Sequence, residues 1–386
     1  MDIVLVANSP GELSALVRPV AKRIKELSCL PAGTAKDTRV VLVMTPCQYA
    51  SGMEVDFAKK NLALDHVFSA NDYKKWILGG AAPMEFGRSG AVLFLGGDLL
   101  HASLIAKKLK YKAYAYLPGT YINWVKAYQK FFLPDHKMFD HFFKRGIPTG
   151  KLSVSGDLMV DGSPGLEKKE AREKWQLDEK HPAIAFMPGS RKWEIDFMLP
   201  LYEKIGKRLK ETVPDLRLML IVSEFVPVDS FLKYKEHHIF DVFASFDSIS
   251  AADLVITIPG TNTAQIAAQG VPMIVVFPLD RPEVIPLEGM IHYISSIPGL
   301  KLPIKRFIAW LVNRNTKYFA LPNMKADKEI VEEIRGKVEP KIVAEKIKGL
   351  LNDKEKLNAI SRSLKESMGM PGAADKIARE LLNEAL

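Results

Sequence analysis

The stretch Ala183-Ile184-Ala185-Phe186-Met187-Pro188-Gly189-Ser190-Arg191 decides the architecture. Five apolar residues in succession suit a strand buried on both faces, and the loop residues that follow end the run at once. The same order, a short apolar strand and then a small polar loop, recurs three times. Ile3 to Val6 precedes Asn8-Ser9-Pro10-Gly11-Glu12, residues 91–95 precede Gly96-Gly97-Asp98, and residues 254–258 precede Pro259-Gly260-Thr261-Asn262-Thr263. Such strands alternating with helical stretches predict α/β architecture, a doubly wound parallel sheet with helices on both faces. Further strands are expected at 39–44, 113–117, 152–155, 216–222, 239–243 and 273–277, with helices at 13–27, 99–110 and 196–212. Beyond Pro278 the pattern turns helical, with amphipathic segments near 304–315, 327–336, 340–351, 354–368 and 373–385.

A polar segment from Gly156 to His181 interrupts the alternation, which then restarts, so two Rossmann-like units are expected in a chain of 386 residues. Their predicted bounds are 1–160 and 161–370, with a C-terminal helix at 371–386 packing back on the first unit. Two units of this type facing a cleft form a usual home for a nucleotide and a second substrate. A composition of 47% hydrophobic and 26% charged residues disfavours disorder. No apolar run reaches the roughly 18 residues that span a bilayer, and the N-terminus lacks a leader pattern. Cys29 and Cys47 form no Cys-x-x-Cys, so a reducing, cytoplasmic setting is expected.

The formal charge is +9 and it is localised. Residues 101–157 hold 10 basic against 3 acidic side chains and 11 of the 35 aromatics, including Tyr121, Trp124, Phe131, Phe132 and Phe143. Basic groups such as Lys126 and Lys130 among amphipathic rings suit a surface that meets anionic headgroups or nucleic acid.

In an open parallel sheet, ligands sit beyond the carboxyl ends of the strands. There Gly189, Ser190 and Arg191 join a loop glycine, a hydroxyl and a guanidinium at a helix entry, a plausible diphosphate site; helix capping is the competing assignment. Gly260, Thr261 and Thr263 open another helix of the same unit and would face the same nucleotide. Asp98 is positioned to act as a general base or, equally well, as a helix cap. His101, one turn on, could orient Asp98 or bind an acceptor phosphate. With no Asp-x-Asp and no His pair at i and i+4, no metal is expected. Neither Gly-x-x-x-x-Gly-Lys-[Ser/Thr] nor Gly-x-Gly-x-x-Gly occurs, which disfavours an NTPase and NAD chemistry.

With these motifs on the page, the chain resembles lipid-A-disaccharide synthase, a family of two-Rossmann-domain (GT-B) glycosyltransferases. Pro188 to Arg191, Gly260 to Thr263, Gly270-Val271-Pro272-Met273 and Leu321-Pro322-Asn323 fall in the family's order, and 303–320, with Phe307, Trp310 and Arg314, resembles its basic aromatic helix. The resemblance implies that Arg191 holds the diphosphate of a UDP-sugar donor, that Gly260 to Thr263 line it, that Asn323 helps position the donor and that Asp98 is the base. It puts Asn8, Gly11 and Glu12 in an early loop where the family has Glu and Gly-Asp. It puts Gln265 where a carboxylate meets the ribose; an amide there still bonds two hydroxyls. Residues 155–162 read more like Kdo transferases.

The expected function is therefore an inverting, metal-free transfer of a plain or acylated glucosamine from a UDP-sugar to a glycolipid, releasing UDP. It would take place at the inner face of the cytoplasmic membrane, with Trp124, Lys126, Lys130, Phe307 and Trp310 as acceptor or membrane contacts. The alternatives are a Kdo-type transferase, a UDP-sugar epimerase, and a non-catalytic membrane- or RNA-binding protein. No nucleic-acid partner is expected, because no RNA-module signature occurs, and the oligomeric state is left open.

Overall fold

Buried along its whole length, Asp2–Ala7 (β1) forms the middle of a parallel sheet, and its apolar run is what two covered faces require. The computed structural model describes residues 1–29, 37–47, 50–163, 165–279 and 310–384. Within these the chain divides into two units, Met1–Gly162 with Gly369–Leu386, and Ser163–Met368.

The first unit adds β2 (Arg39–Met44), β3 (His66–Phe68), β4 (Gly90–Phe94), β5 (Lys112–Tyr116), β6 (Lys130–Leu133) and β7 (Leu152–Val154), in the order β3-β2-β1-β4-β5-β6-β7. The order reverses between β1 and β4, which is the switch point where ligands bind such sheets. The helix Ala373–Glu384 belongs here too. It packs on the helix Arg18–Ser28, Asp161 accepts from the Gly372 and Ala374 N–H groups at its start (2.8 and 2.7 Å), and Arg23 pairs with Asp375 at 2.7 Å.

Asp2 anchors the start of β1. Fully buried, it takes the Arg39 fork at 2.7 and 2.9 Å and the Gly87 N–H at 2.6 Å. Burial raises its pKa, but the Arg39 and Gly87 bonds outweigh that and leave it lowered from 3.8. A lowered folded-state pKa means the stabilisation is present above the unfolded value and is lost as pH falls through the folded one. Asp2→Asn is accordingly expected to cost about 1–3 kcal/mol at pH 7. In urea unfolding the gap to wild type should close below about pH 4; a gap that persists into strong acid would exclude the ion pair as its cause.

The second unit comprises β8 (Ala183–Met187), β9 (Arg217–Ile221), β10 (Val242–Ala244), β11 (Leu254–Thr257), β12 (Met273–Pro278) and β13 (Glu332–Gly336), in the order β10-β9-β8-β11-β12-β13. Its switch point lies between β8 and β11, where Met187 is level with Thr257. One core cluster joins Phe186, Tyr202, Phe231 and Ile347.

Three expectations are corrected. Residues 332–336 are a strand, not part of a helix, because Glu332 to Gly336 pair in parallel with Ile274 to Pro278. Its charges are those of an edge strand, and Ile330, Val331 and Ile334 merely imitate helical spacing. The basic, aromatic window is not one surface: Tyr111, Tyr114, Tyr116, Tyr128, Phe131, Phe132 and Phe142 are core residues, two of them on β6, a strand the apolar pattern did not reveal. Lys130 is engaged in an ion pair with Glu380 on the C-terminal helix, so it serves the fold. Tyr121, Trp124, Phe143 and Lys126 are exposed. Trp310 lies in an exposed helical stretch that runs to residue 315, while Phe307 lies outside the described residues. No helix among the described residues is long and apolar enough to cross a membrane.

Candidate functional site

Each switch point carries the same device, a glutamate three residues past the helix cap that folds back under its own loop. After β1, Ser9 caps the helical turn Pro10–Glu12 in a reciprocal capping box. Glu12 accepts from the N–H groups of Asn8 (2.8 Å), Ser9 (3.1 Å) and, across the switch point, Gly97 (3.2 Å). Burial raises its pKa against the pull of those three donors. The carboxylate's acceptor sites thus support the loop, which argues against the catalytic assignment of Glu12. Gly11 sits inside the turn, its carbonyl accepting from the Ser14 hydroxyl at 3.2 Å.

After β8, Arg191 rather than Ser190 is the cap of the helix Lys192–Thr212. Glu194, 6% exposed, accepts from the Ser190 and Arg191 N–H groups at 2.7 and 3.0 Å and from the Arg191 guanidinium at 2.9 Å. At this helix start the chain's own carboxylate thus occupies two backbone donors and an N–H of the Arg191 guanidinium, which leaves the rest of the guanidinium as the part that can meet an anion. Gly189, at φ +117°, makes room, since a Cβ there would meet Glu194 at 2.2 Å.

The neighbouring loop differs. Helix Thr261–Ala268 starts at Gly260 (φ +138°) with no side-chain cap and no acid in its first turn; the Thr263 N–H bonds to Gly260 O at 3.1 Å, and those of Thr261 and Asn262 have no acceptor among the described residues and so suit an anion. They leave the strand next to β8 at the same sheet edge. Thr261 is half-buried at this start. Thr263 is fully buried, its hydroxyl donating to Gly260 O (2.8 Å) and accepting from Leu321 N (3.0 Å), so it ties the loop to helix Leu321–Ala326. Gln265 is also buried. Asn323 donates to Val331 O and Glu333 and accepts from the Ile330 and Val331 N–H groups, at 2.8–3.0 Å. All four capacities of its amide are spent on holding this helix to β13. Direct contact of the Asn323 side chain with a donor is thereby corrected to support from behind.

Beyond β4, Asp98 is exposed and caps helix Leu99–Leu109, one oxygen accepting from Leu100 N at 2.8 Å. His101 follows within the first turn. Its Nδ1 lies 2.7 Å from the hydroxyl of Tyr73, whose ring meets it edge-on at 5.2 Å. Burial lowers the His101 pKa from 6.5 against the opposing pull of Asp98, and burial raises Tyr73 to about 12. The pair is therefore neutral at pH 7, with the ring fixed beside Asp98.

Sequence reasoning missed Tyr73, Thr45, Glu194 and Glu333. The Ser9-to-Glu12 spacing announces one glutamate, and Glu194 repeats it. Thr45 stands at the exit of β2, where the rule applied to the other strands would have found it.

Residues 156–285 match a family model described as lipid-A-disaccharide synthetase. That stretch contains Pro188–Arg191 and Gly260–Thr263 and excludes Asp98. The lipid-A-disaccharide synthase of Blochmanniella floridana is 26% identical over 215 residues, 54% of this chain and 49% of that protein. The chain thus spans about half the length of the curated relatives it matches. UDP-GlcNAc 2-epimerase from Neisseria meningitidis, solved with UDP-GlcNAc, aligns over 99% of this chain and 100% of its own with TM-score 0.57 and 13% identity. MurG from Acinetobacter baumannii aligns over 99% of each chain with TM-score 0.51 and 13% identity. The chain shares the two-domain α/β fold of these enzymes, and it is similar in sequence, as a divergent member would be, to lipid-A-disaccharide synthases.

Proposed function

We propose that the chain is an inverting glycosyltransferase of the lipid-A-disaccharide synthase kind, moving a glucosamine or diacylglucosamine unit from a UDP-sugar to a glycolipid and releasing UDP. The observation that carries this reading is the family match over the segment holding both Arg191 and the uncapped helix start at Gly260–Asn262. In this reading the diphosphate rests on those N–H groups with the Arg191 guanidinium beside it, and the developing charge on the leaving UDP is met without a metal. Asp98 takes the acceptor's proton.

A second reading is favoured by the full-length likeness to UDP-GlcNAc 2-epimerase. Incubation with UDP-2,3-diacylglucosamine and its monophosphate lipid, with EDTA present, is expected to yield a disaccharide on thin-layer plates. Conversion of UDP-GlcNAc to its 2-epimer with no disaccharide would replace the first reading by the second. Membrane contact, at the inner surface of the cytoplasmic membrane, would use the exposed Tyr121, Trp124 and Phe143 of the first unit and Trp310 of the second. Trp124→Ser should weaken flotation with anionic vesicles several-fold, as loss of one interfacial aromatic implies; unchanged flotation would remove this contact.

A further inference from the structure

The hydroxyl of Thr45 is a buried polar group without a partner among the described residues. Thr45 follows β2 directly, its N–H bonds to Ala7 O at 2.9 Å, and it is 1% exposed, yet its Oγ1 makes no hydrogen bond among the described residues. Buried hydroxyls are nearly always bonded, so an orphan at a strand exit points to a missing ligand. The orphan hydroxyl of Tyr202 differs in kind, since it lies within the second unit's apolar cluster.

A second polar group converges on the same place. Gly97 has φ +88°, and a Cβ there would come within 3.0 Å of both Thr45 Oγ1 and Asn8 Nδ2. The side-chain amide of Asn8 likewise makes no hydrogen bond among the described residues, its backbone N–H alone reaching Glu12. The position over Gly97 is thus closed in by one hydroxyl and one amide, too tightly for a side chain of its own. Its electrostatics select the ligand. Glu12 lies beneath it through the Gly97 N–H, Asp98 is the next residue, and neither acid pairs with Lys or Arg among the described residues. Two acids, with the neutral His101 ring beside the second, disfavour a phosphate, whereas a neutral sugar hydroxyl can both donate and accept here.

We propose that Thr45 and Asn8 hold hydroxyl groups of the acceptor's sugar ring over Gly97, which sets the adjoining ring hydroxyl before Asp98. This rests on the transferase reading and extends it, by assigning the sugar subsite of the first unit to two named side chains. It also explains why Gly97 must lack a side chain beyond the demand of its φ angle.

The test is Thr45→Val, which removes the hydroxyl and keeps the shape, with Thr45→Ser as the control that restores it. Binding of free N-acetylglucosamine and of UDP is measured by titration on the full chain, together with thermal unfolding without ligand. The Val variant is expected to bind the sugar about 10-fold more weakly, as for loss of a hydrogen bond in a site built for one. UDP affinity should be unchanged and Ser should bind like wild type. Because the hydroxyl has no partner among the described residues, the Val variant should unfold a few degrees higher, roughly 2–4 °C. Equal sugar affinity in the Val variant, a lower unfolding temperature, or a wild type that takes UDP but no sugar would each overturn the assignment. If the Val effect stands and no disaccharide forms from the lipid substrates, the transferase reading falls and the sugar site remains. If disaccharide forms and Val binds sugar normally, the reverse holds.

Discussion

Asp98→Asn is expected to lower disaccharide formation by roughly 10²–10⁴-fold, the usual contribution of a positioned general base. Asparagine is as good a helix cap as aspartate, so the bond from Leu100 N to the side-chain oxygen survives and helix Leu99–Leu109 keeps its start. What is removed is the ability of the exposed second oxygen to take a proton. The fold and the chemistry therefore separate in one substitution. UDP affinity should not move, because Asp98 belongs to the first unit and the proposed diphosphate donors to the second. Near-normal turnover would reduce Asp98 to the cap it also is, and would shift attention to the neutral His101 held by Tyr73. A loss confined to a raised KM, with kcat unchanged, would instead mark Asp98 as an acceptor-binding group.

The strands that were legible in the sequence are those buried on both faces. β1, β8, β11 and β12 read as unbroken apolar runs because a central parallel strand has no solvent side. β3 is three residues long, and β13 carries Glu332, Glu333 and Arg335 on a sheet edge, so neither has an apolar run to read. β6 was obscured by its surroundings: Phe131 and Phe132 stand among lysines that count toward a charged surface, yet both rings are fully buried. Charge in a window is a property of sequence distance, whereas a strand sends consecutive side chains to opposite faces.

The loops of the candidate site were legible because strand exits are fixed by the alternation itself. The partners within those loops were not. Tyr73 reaches His101 from a helix that only the fold brings near. Arg191 and Asn323 suggest ligand contacts in the sequence, because a guanidinium suits anions and an amide suits hydroxyls. In the structure Arg191 gives Glu194 a guanidinium N–H from a fork of five donors, whereas Asn323 is saturated by β13 and the turn before it. Residue type announces chemistry, but burial decides whether that chemistry faces a ligand or the chain.

Gly96→Ala is expected to be the most destabilising single substitution in the first switch point. A Cβ at Gly96 would stand 1.8 Å from the Glu12 carboxyl carbon and 2.1 and 2.2 Å from its oxygens, a collision that no rotamer of the alanine relieves. Glu12 must then leave, and the N–H groups of Asn8, Ser9 and Gly97 lose a shared charged acceptor. Each half-buried donor left unbonded costs about 1–3 kcal/mol, so a total near 3–5 kcal/mol is expected even if water recovers part of it. In a unit of this size that lowers the unfolding midpoint by roughly 10 °C. The cause can be isolated by a double-mutant cycle. If the clash drives the loss, Glu12→Ala removes the obstacle, and the double variant Glu12→Ala with Gly96→Ala should be more stable than the sum of the two single changes by at least about 1 kcal/mol. Strict additivity would mean that the glycine serves the loop by some route other than the glutamate beneath it. Gly189 and Glu194 repeat the arrangement, with the Cβ contact at 2.2 Å and an added demand from φ +117°. There the same cycle should rescue less, because alanine at that φ stays strained after the carboxylate has gone.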